Sequence, residues 1–335
     1  MLSDIRILPK VELHLHLETS LRLRRLMQQR LSGDPPLEGA HLVADPLAFR
    51  GYDRLRRMRY ASRTGRIPDA LYTRENITRI AAEMLAAAAA QNIRYLEIRV
   101  GGRRGFSVLG VRPMLEAMAA AAGAAAPRTQ AGFIVTVVRE RGPEEAEQIV
   151  QQAVACRDCG VVGIDLAGDE ANYPPAMFVR AVDRAREAGL GITVHAGEFT
   201  GPASVWTAIY QLGAQRIGHG IRAVEDPELL AYLREHRVTL ELCPTSNLRL
   251  GLVTSLAEHP MRTLLKAGVP VTVNSDDPVL LGTDLTRELA AVQVALGLSM
   301  ETVTALMRNA ARAAFLPPQQ RAALEEEVAR PLAAS

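Results

Sequence analysis

Two histidines separated by one residue, His14 and His16, are the first side chains whose type and spacing could do chemistry. They lie in the run Val11-Glu-Leu-His-Leu-His-Leu-Glu18, where apolar and polar residues alternate. In a β-strand this alternation puts both histidines on one face, where they could share a metal ion. An isolated His-x-His pair is more often satisfied by hydrogen bonds in the core, so a metal site needs further ligands.

Further ligand candidates follow three later β-branched runs. His195 ends Ile192-Thr-Val-His195, His219 ends Arg216-Ile-Gly-His219, and Asp276 comes soon after Val271-Thr-Val. Three histidines and one carboxylate suit Zn²⁺ with an open position for water, although Fe²⁺ or Mn²⁺ could use the same ligands. We predict one zinc ion per chain, which would lower the pKa of a bound water toward ~7. The predicted ligands are His14, His16, His195 and Asp276.

Three polar residues beside these ligands could act on a substrate. Glu198 follows His195 by three residues and is predicted to donate and accept a proton. His219 could orient or deprotonate the water, and Asp277 could hydrogen-bond to the substrate. Taken singly, Glu198 could be a helix cap or a surface carboxylate, and Asp277 a turn residue before Pro278. The remaining histidines, His41, His236 and His259, are predicted to be surface residues.

The elements that must position these residues alternate between short β-branched runs and longer helical patterns, which indicates parallel βαβ units. Eight strand–helix units predict a (β/α)8 TIM barrel, in which active residues gather at the carboxyl ends of the strands. The predicted strands cover residues 11–17, 93–100, 132–138, 161–166, 191–195, 216–218, 239–242 and 271–274.

Two regions extend this barrel within a predicted single domain of residues 1–335. Residues 21–73 are too long for a simple crossover, so we predict a helical insertion over the mouth of the barrel, either a lid or a plain structural insertion. Residues 284–335 are predicted to form C-terminal helices packed on the outside.

Composition excludes several classes of function. The net charge of +2 gives no strong attraction to nucleic acid or an anionic membrane. No apolar run is long enough to span a membrane, and residues 1–10 do not look like a signal peptide. Three cysteines argue against a disulfide framework, so we expect a cytoplasmic protein. Oligomeric state is left open.

Six motifs in order resemble the adenosine deaminase family of the amidohydrolase superfamily. They run nearly end to end and comprise Pro9-Lys-Val-Glu-Leu-His-Leu-His-Leu-Glu18, Asp165-Leu-Ala-Gly168-Asp-Glu170, His195-Ala-Gly-Glu198, Arg216-Ile-Gly-His-Gly220, Cys243-Pro-Thr-Ser-Asn247 and Asn274-Ser-Asp-Asp-Pro278. The resemblance implies hydrolytic deamination at C6 of a purine by a metal-activated water, with adenosine or deoxyadenosine as the expected substrate.

The resemblance also implies roles for individual residues. Glu198 would protonate N1 of the purine, while His219 and Asp276 would hold and activate the hydroxide. Asp277 would contact N7, and the backbone N–H of Gly168 would contact N3. A glycine suits that position because a base edge must approach the backbone closely. Glu18 and His16 are also expected to contact the substrate, Glu18 near the sugar.

The chain departs from the family around the substituent at N9. Glu18 is followed by Thr19 where the family has glycine, and the stretches 99–105 and 50–73 also differ. Adenine, or a modified adenosine such as aminodeoxyfutalosine, therefore stays open beside adenosine and deoxyadenosine.

Three other interpretations are weaker. A binuclear amidohydrolase would need a lysine after strand 4, but the lysines are Lys10 and Lys266. A cytidine-deaminase site needs His-x-Glu and Pro-Cys-x-x-Cys, whereas Cys156 and Cys159 lie in a helical pattern before His195. A catalytically silent barrel that binds a nucleoside or a protein would be expected to lack a ligand or Glu198.

Overall fold

The computed structural model describes residues 2–17, 72–101, 105–126 and 128–330. Its centre is a single sheet of eight parallel strands, in which each strand pairs with the next one along the chain. The strands are β1 Lys10–His16, β2 Ile93–Val100, β3 Gln130–Val138, β4 Val161–Ala167, β5 Gly191–Ala196, β6 Arg216–His219, β7 Thr239–Leu242 and β8 Val271–Val273.

The sheet closes on itself where β8 returns to β1. Leu15 and Asp276 form a parallel bridge, the N–H of His16 donates to Asp276 O at 2.9 Å, and the N–H of Asp276 donates to His14 O at 3.0 Å. The prediction of a (β/α)8 barrel is therefore confirmed. The hydrogen bonds that join the first and last strands therefore also fix the backbone of Asp276, a predicted metal ligand.

Helices surround the barrel and follow the strands in the alternation that the sequence predicts. The helices between strands are Arg74–Ala90, Gly105–Val108, Val111–Ala125, Gly142–Ala155, Val179–Glu187, Pro202–Tyr210, Pro227–Glu235, Pro244–Arg249 and Met261–Lys266. Leu2–Ile7 precedes β1, and Pro278–Leu281, Leu285–Leu296, Met300–Ala313 and Pro318–Ala329 follow β8. Cys156 and Cys159 lie at the end of the helix Gly142–Ala155 and in a short 3₁₀ turn, both buried, as expected for ordinary packing residues.

The strands are buried on both faces, but the faces differ in chemistry. Apolar residues of β1 such as Val11 and Leu13 join the hydrophobic core, while the alternate residues include buried polar groups. The interior therefore holds charges that must pair with each other, since an isolated buried charge is very costly. This requirement explains why ion pairs fill the space beneath the predicted metal site.

The segment after the helix Met300–Ala313 closes the end of the barrel opposite the mouth. Phe315 packs against Gly163 and Gly191 at the starts of β4 and β5, where an added side chain would overlap its ring. The guanidinium of Arg216 lies over the same ring, with Cζ 3.6 Å from the centroid. The C-terminal helices thus do more than form an outer layer, because Phe315, in the link between the last two helices, covers the amino-terminal end of the barrel.

The predicted insertion at 21–73 lies outside the described residues except for Tyr72 and Thr73. Thr73 is the N-cap of the helix that follows, where its side chain accepts a hydrogen bond from Asn76 N. Within the described ranges, none of the helices combines the length and apolar character needed to cross a membrane.

Candidate active site

Four histidines from three strands meet inside the mouth of the barrel, the end where the strands finish. Ring centroids lie 5.2 Å apart for His14 and His16, 4.6 Å for His14 and His195, and 5.0 Å for His14 and His219. All four side chains are buried. Ring nitrogens of His14, His16 and His195 lie within 4.8 Å of one another, close enough to bind a single ion. We call His14, His16, His195 and His219 the histidine cluster.

Hydrogen bonding orients His14 for metal binding. Its Nδ1 lies 3.1 Å from Oε2 of the buried carboxylate Glu241, so Nδ1 carries the proton. The opposite nitrogen, Nε2, is buried and has no hydrogen-bond partner among the described residues. A buried acceptor left this way is costly unless something else binds it. The lone pair of a neutral imidazole nitrogen at such a position can bind a metal ion.

His195 is oriented in the same way by Asp165. Its Nδ1 lies 2.9 Å from Asp165 Oδ1, and both side chains are buried. Burial alone would raise the pKa of Asp165, but the neighbouring His195 and Arg99 outweigh burial and hold that pKa below its usual range. The carboxylate therefore stays charged and can keep the proton of His195 on Nδ1, which leaves Nε2 for a metal.

The two orienting carboxylates belong to a buried ionic network beneath the histidine cluster. Arg99 pairs with Glu241 and also, at 3.2 Å, with Asp165. Arg216 Nε lies 2.7 Å from Glu241 Oε1, and its terminal nitrogen pairs with Glu97. The network holds three carboxylates and two guanidiniums, so it carries one excess negative charge. That charge lies under the cluster and favours a cation there.

Asp276 supplies a carboxylate to the same space. Its Oδ1 lies 3.5 Å from His16 Nε2 and 3.7 Å from His14 Nε2. Its backbone has a φ of 58°. Non-glycine residues adopt this conformation rarely, and the residues that do so are often found at functional sites. The residue before it is held by buried Glu12, which accepts hydrogen bonds from the N–H and the hydroxyl of Ser275.

The donor set fits zinc. Three imidazole nitrogens and one carboxylate converge, two of the imidazoles have a carboxylate on the far nitrogen, and His14 Nε2 needs a partner. These are the ligand types and outer hydrogen bonds of zinc sites with an open position. Cys243, which lies near His14 and His219, is a buried thiol whose pKa burial raises well above its usual value. Its thiol donates to the backbone O of Glu241, with Sγ 3.7 Å from that oxygen, and Cys243 is not one of the predicted ligands.

Glu198 and His219 lie together at the edge of the cluster. His219 Nδ1 is 3.7 Å from Glu198 Oε1, and both side chains are buried. His219 has a φ of 62°, so two of the predicted site residues, His219 and Asp276, share this rare backbone conformation. Burial lowers the pKa of His219 to about 3, against the raising effect of Asp276. His219 is therefore neutral near pH 7.

The loop that carries Glu198 is held by a second carboxylate, Glu170. Glu170 Oε1 accepts hydrogen bonds from the N–H of Glu198 at 3.0 Å, of Thr200 at 2.8 Å and of Phe199. Its Oε2 accepts from the N–H of Gly197 at 2.9 Å and from the hydroxyl of Ser204 at 2.8 Å. Five donors on one carboxylate make this loop a rigid support.

Gly168 and Asp277 lie at the same end of the barrel as the histidine cluster, because they follow the carboxyl ends of β4 and β8. Gly168 has a φ of 120°, and a side chain there would overlap the carboxylate of Glu140. Glycine adopts this conformation without strain, whereas a side chain would be strained there and would have to displace the Glu140 carboxylate. Asp277 is buried and directly precedes the short helix Pro278–Leu281. The remaining predicted substrate contact, Glu18, lies outside the described residues.

Sequence reasoning missed the residues that support the site. Glu241 and Arg99 alternate with apolar residues in β7 and β2, a signal for inward polar groups that a search for strand ends overlooks. The prediction that His259 lies on the surface is wrong. It is only 2% exposed and hydrogen-bonds to Asn247, because the chain after β7 folds back into the mouth. His236 is exposed as expected, and His41 lies outside the described residues.

Comparison with known proteins decides the family. The family model described as adenosine deaminase matches residues 9–331 of this chain. The chain belongs to the adenosine deaminase family. A curated adenosine deaminase from Klebsiella pneumoniae is 40% identical over 260 residues, which cover 76% of this chain and 78% of that protein.

Solved structures with a similar fold match this chain across nearly its whole length. An adenine deaminase from Arthrobacter aurescens is 29% identical, with a TM-score of 0.84 over 96% of this chain and 98% of its own. An amidohydrolase from Burkholderia ambifaria, solved with bound Zn, is 27% identical, with a TM-score of 0.83 over 98% of this chain and 91% of its own. The donor set of this adenosine deaminase family member, described above, fits the same metal.

Proposed function

We propose that this chain catalyses the hydrolytic deamination of a 6-aminopurine nucleoside, adenosine or deoxyadenosine, to inosine or deoxyinosine and ammonia. The observation that carries the proposal is the meeting of His14, His16, His195 and Asp276 with a buried carboxyl, Glu198, beside them. The first four form a metal-binding site, and the fifth is a group that can protonate a ring nitrogen in a water-poor pocket. A single barrel domain would carry the whole activity.

His14, His16, His195 and Asp276 would hold the zinc ion. When bound, zinc supplies a water of lowered pKa and so a nucleophile at neutral pH. The protein prepares these ligands before the metal arrives, because Glu241 and Asp165 fix two imidazoles and the β1–β8 hydrogen bonds fix Asp276. Preorganised ligands lose little conformational freedom on binding.

Glu198 would transfer a proton to N1 of the purine. Protonation at N1 breaks the aromaticity of the six-membered ring, so that the water oxygen can add to C6. The C6–N bond then breaks and the amino group leaves as ammonia; of the two protons of the water, one completes the ammonia and the other restores the proton of Glu198. The five hydrogen-bond donors on Glu170 support this role, since they hold the backbone of Glu198 while its side chain faces the cluster through His219. A proton donor acts well only when its position is fixed.

His219, Asp277 and Gly168 would bind around the reacting carbon. Neutral His219 would hydrogen-bond to the attacking oxygen, and Asp277 would bind N7. The N–H of Gly168 would bind N3, which needs close approach of the base to the backbone. The φ of 120° at Gly168 supports this assignment, because a residue with a side chain rarely adopts the backbone conformation that the loop has there.

The site is proposed to use one metal ion. A second metal in a barrel of this kind would need a bridging lysine after β4. Lys10 lies at the start of β1, where its Nζ donates to the backbone oxygens of Arg6 and Leu8, and Lys266 ends an outer helix. Neither lysine is near the carboxyl end of β4.

Adenosine is favoured over adenine by the curated relative at 40% identity. Adenine is the second candidate, because the adenine deaminase from Arthrobacter aurescens covers almost all of this chain at a TM-score of 0.84. The two candidates share all chemistry at C6 and differ only in the group on N9. An ammonia-release assay with the zinc-loaded protein on adenine, adenosine, deoxyadenosine and 5′-modified adenosines tests the proposal. Ammonia from adenosine and deoxyadenosine supports it, and no ammonia from any 6-aminopurine contradicts it.

A further inference from the structure

A chain of three side chains leads away from the histidine cluster through hydrogen-bonding contacts. Asn247 Nδ2 lies 3.4 Å from His219 Nδ1, and Asn247 Oδ1 lies 3.1 Å from His259 Nε2. His259 Nδ1 in turn accepts a hydrogen bond from the backbone N–H of Met261 at 3.1 Å. His219, Asn247 and His259 are all buried. None of the roles proposed above uses Asn247 or His259.

The backbone N–H of Met261, at one end of this series of side chains, determines the direction of every hydrogen bond in the series. The N–H of Met261 can only donate, so His259 Nδ1 accepts and the proton of neutral His259 is on Nε2. That proton is donated to Asn247 Oδ1, which places the amide NH₂ of Asn247 toward His219. The amide donates, so His219 Nδ1 accepts. The proton of neutral His219 is therefore on Nε2.

Burial keeps His259 neutral, as this direction requires, because it lowers the pKa of that imidazole to about 4. Glu198 Oε1 lies 3.7 Å from His219 Nδ1, which is too far for a hydrogen bond that would compete with Asn247.

We propose that His259 is a positioning residue that acts through Asn247 to hold the proton of His219 on Nε2. His219 then donates a hydrogen bond from Nε2 to the attacking oxygen and does not serve as its base, because that nitrogen has no lone pair to offer. The role of His219 rests on the proposed deaminase function, whereas the position of its proton does not.

Substitution of His259 by glutamine or by glutamate provides a matched pair of nearly equal size. In His259→Gln the amide can accept from Met261 N–H and still donate to Asn247, so the direction is kept. In His259→Glu, measured at a pH at which the introduced carboxyl is ionised, the carboxylate only accepts, so Asn247 must turn its NH₂ toward residue 259 and its oxygen toward His219. The proton of His219 is then drawn to Nδ1.

The test is nitrogen NMR of the zinc-loaded protein with ¹⁵N-labelled histidine, with the His219 signals identified by their loss in His219→Gln. We expect His219 to be protonated on Nε2 in the wild type and in His259→Gln, and on Nδ1 in His259→Glu. With adenosine, kcat should fall by roughly tenfold or more in His259→Glu and recover most of that loss in His259→Gln, with KM and zinc content little changed.

Two results would overturn the proposal. One is the finding that wild-type His219 is protonated on Nδ1. This measurement does not depend on the folding of either variant or on enzymatic activity. The other is equal kcat in the two His259 variants, which would show that the direction of the hydrogen bonds does not matter. Absence of deamination in the wild type, with His219 protonated on Nε2, would count against the proposed function alone.

Discussion

The carboxylate of Glu170 binds the backbone N–H of Glu198 at 3.0 Å, although the two residues follow different strands of the barrel. The buried carboxylate of Glu170 therefore holds the loop that carries Glu198, the proposed proton donor. Glu170 accepts four consecutive backbone N–H groups, from Gly197 to Thr200, and is not itself proposed to touch the substrate. The position of the proposed proton donor thus depends on a residue that has no proposed part in the reaction.

We expect Glu170→Gln to lower activity without loss of zinc. The amide NH₂ would face N–H donors, and only the amide oxygen could still accept from part of the loop, so the position of Glu198 would relax. The expected loss of kcat is about 10- to 100-fold, with a loss of about 1–3 kcal/mol in the free energy of unfolding. Kinetics on adenosine and urea unfolding measure the two effects.

The control for Glu170→Gln is Asp226→Asn. Asp226 is also a carboxylate that accepts several N–H groups, from Glu228, Leu229 and Trp206, but it caps an outer helix. Asp226→Asn should reduce stability and leave kcat unchanged. An equal loss of kcat in both variants would show that the effect of Glu170 is only a loss of stability.

Replacement of Glu198 by glutamine should remove most turnover while the fold and the zinc content stay intact. The amide has nearly the same shape but cannot deliver a proton to N1, and general acid catalysis contributes about 10²- to 10⁴-fold. The measurement is kcat on adenosine beside zinc content. Glu187→Gln, at an exposed helix end, is the matched control. Near-normal kcat in Glu198→Gln would remove Glu198 from the mechanism.

Loss of one cluster histidine should weaken zinc binding. His16→Ala removes one of the nitrogens that converge within 4.8 Å, so we expect zinc affinity to fall by about 10-fold or more and the protein to be isolated with less metal. His236→Ala is the control, because His236 is exposed on an outer helix end. Full zinc occupancy of His16→Ala under competition with a chelator would exclude His16 as a ligand.

Gly168→Ala should impair substrate binding, because the added methyl group would push aside Glu140 and shift the backbone N–H that is proposed to bind N3. A methyl group at this position meets the Glu140 carboxylate, and a φ of 120° adds strain of about 1–3 kcal/mol. Gly189→Ala separates the two causes, since Gly189 also has a positive φ, 75°, but open space around its Cα. We expect both variants to lose stability and only Gly168→Ala to raise KM for adenosine. Unchanged KM in Gly168→Ala would argue against a substrate contact there.

The buried imidazole of His259 should make stability depend on pH. Its pKa of about 4 in the folded protein lies below the ordinary histidine value of 6.5, so the unfolded chain binds the proton first as pH falls. The stability is fully present above pH 6.5 and is lost between pH 6.5 and 4. At pH 5 the loss from this group is about 2 kcal/mol. Urea unfolding of wild type and His259→Gln at pH 7.5 and pH 5 should show a smaller decrease in the variant. Equal decreases would contradict this.

Much of the barrel could be predicted because local patterns determine its elements. β2 and β7 have the predicted bounds, and the remaining strands differ from the predicted bounds by a few residues at most. The alternation of apolar and polar residues in β1 is also enough to predict that His14 and His16 point inward. Those predictions need only the period of a strand and the rule that barrel sites gather at the carboxyl ends.

The supporting residues could not be predicted in the same way, because their contacts join distant parts of the chain. His14 and Glu241 are 227 residues apart, and Leu13 N bonds to an asparagine 261 residues away. Nothing in the local pattern around His259 indicates that the chain after β7 folds back to bury it. Pairings of this kind follow from closure of the barrel, which a pass along the sequence does not resolve.

The most direct test of a one-zinc deaminase is to restore activity by zinc addition. Metal-free protein would be titrated with Zn²⁺ while the conversion of adenosine to inosine is followed by ultraviolet absorbance and ammonia release. We predict that activity rises in proportion to zinc and saturates at one equivalent per chain, with equal amounts of inosine and ammonia. Full activity of the metal-free protein, saturation only at two equivalents, or no inosine at any zinc level would contradict the account.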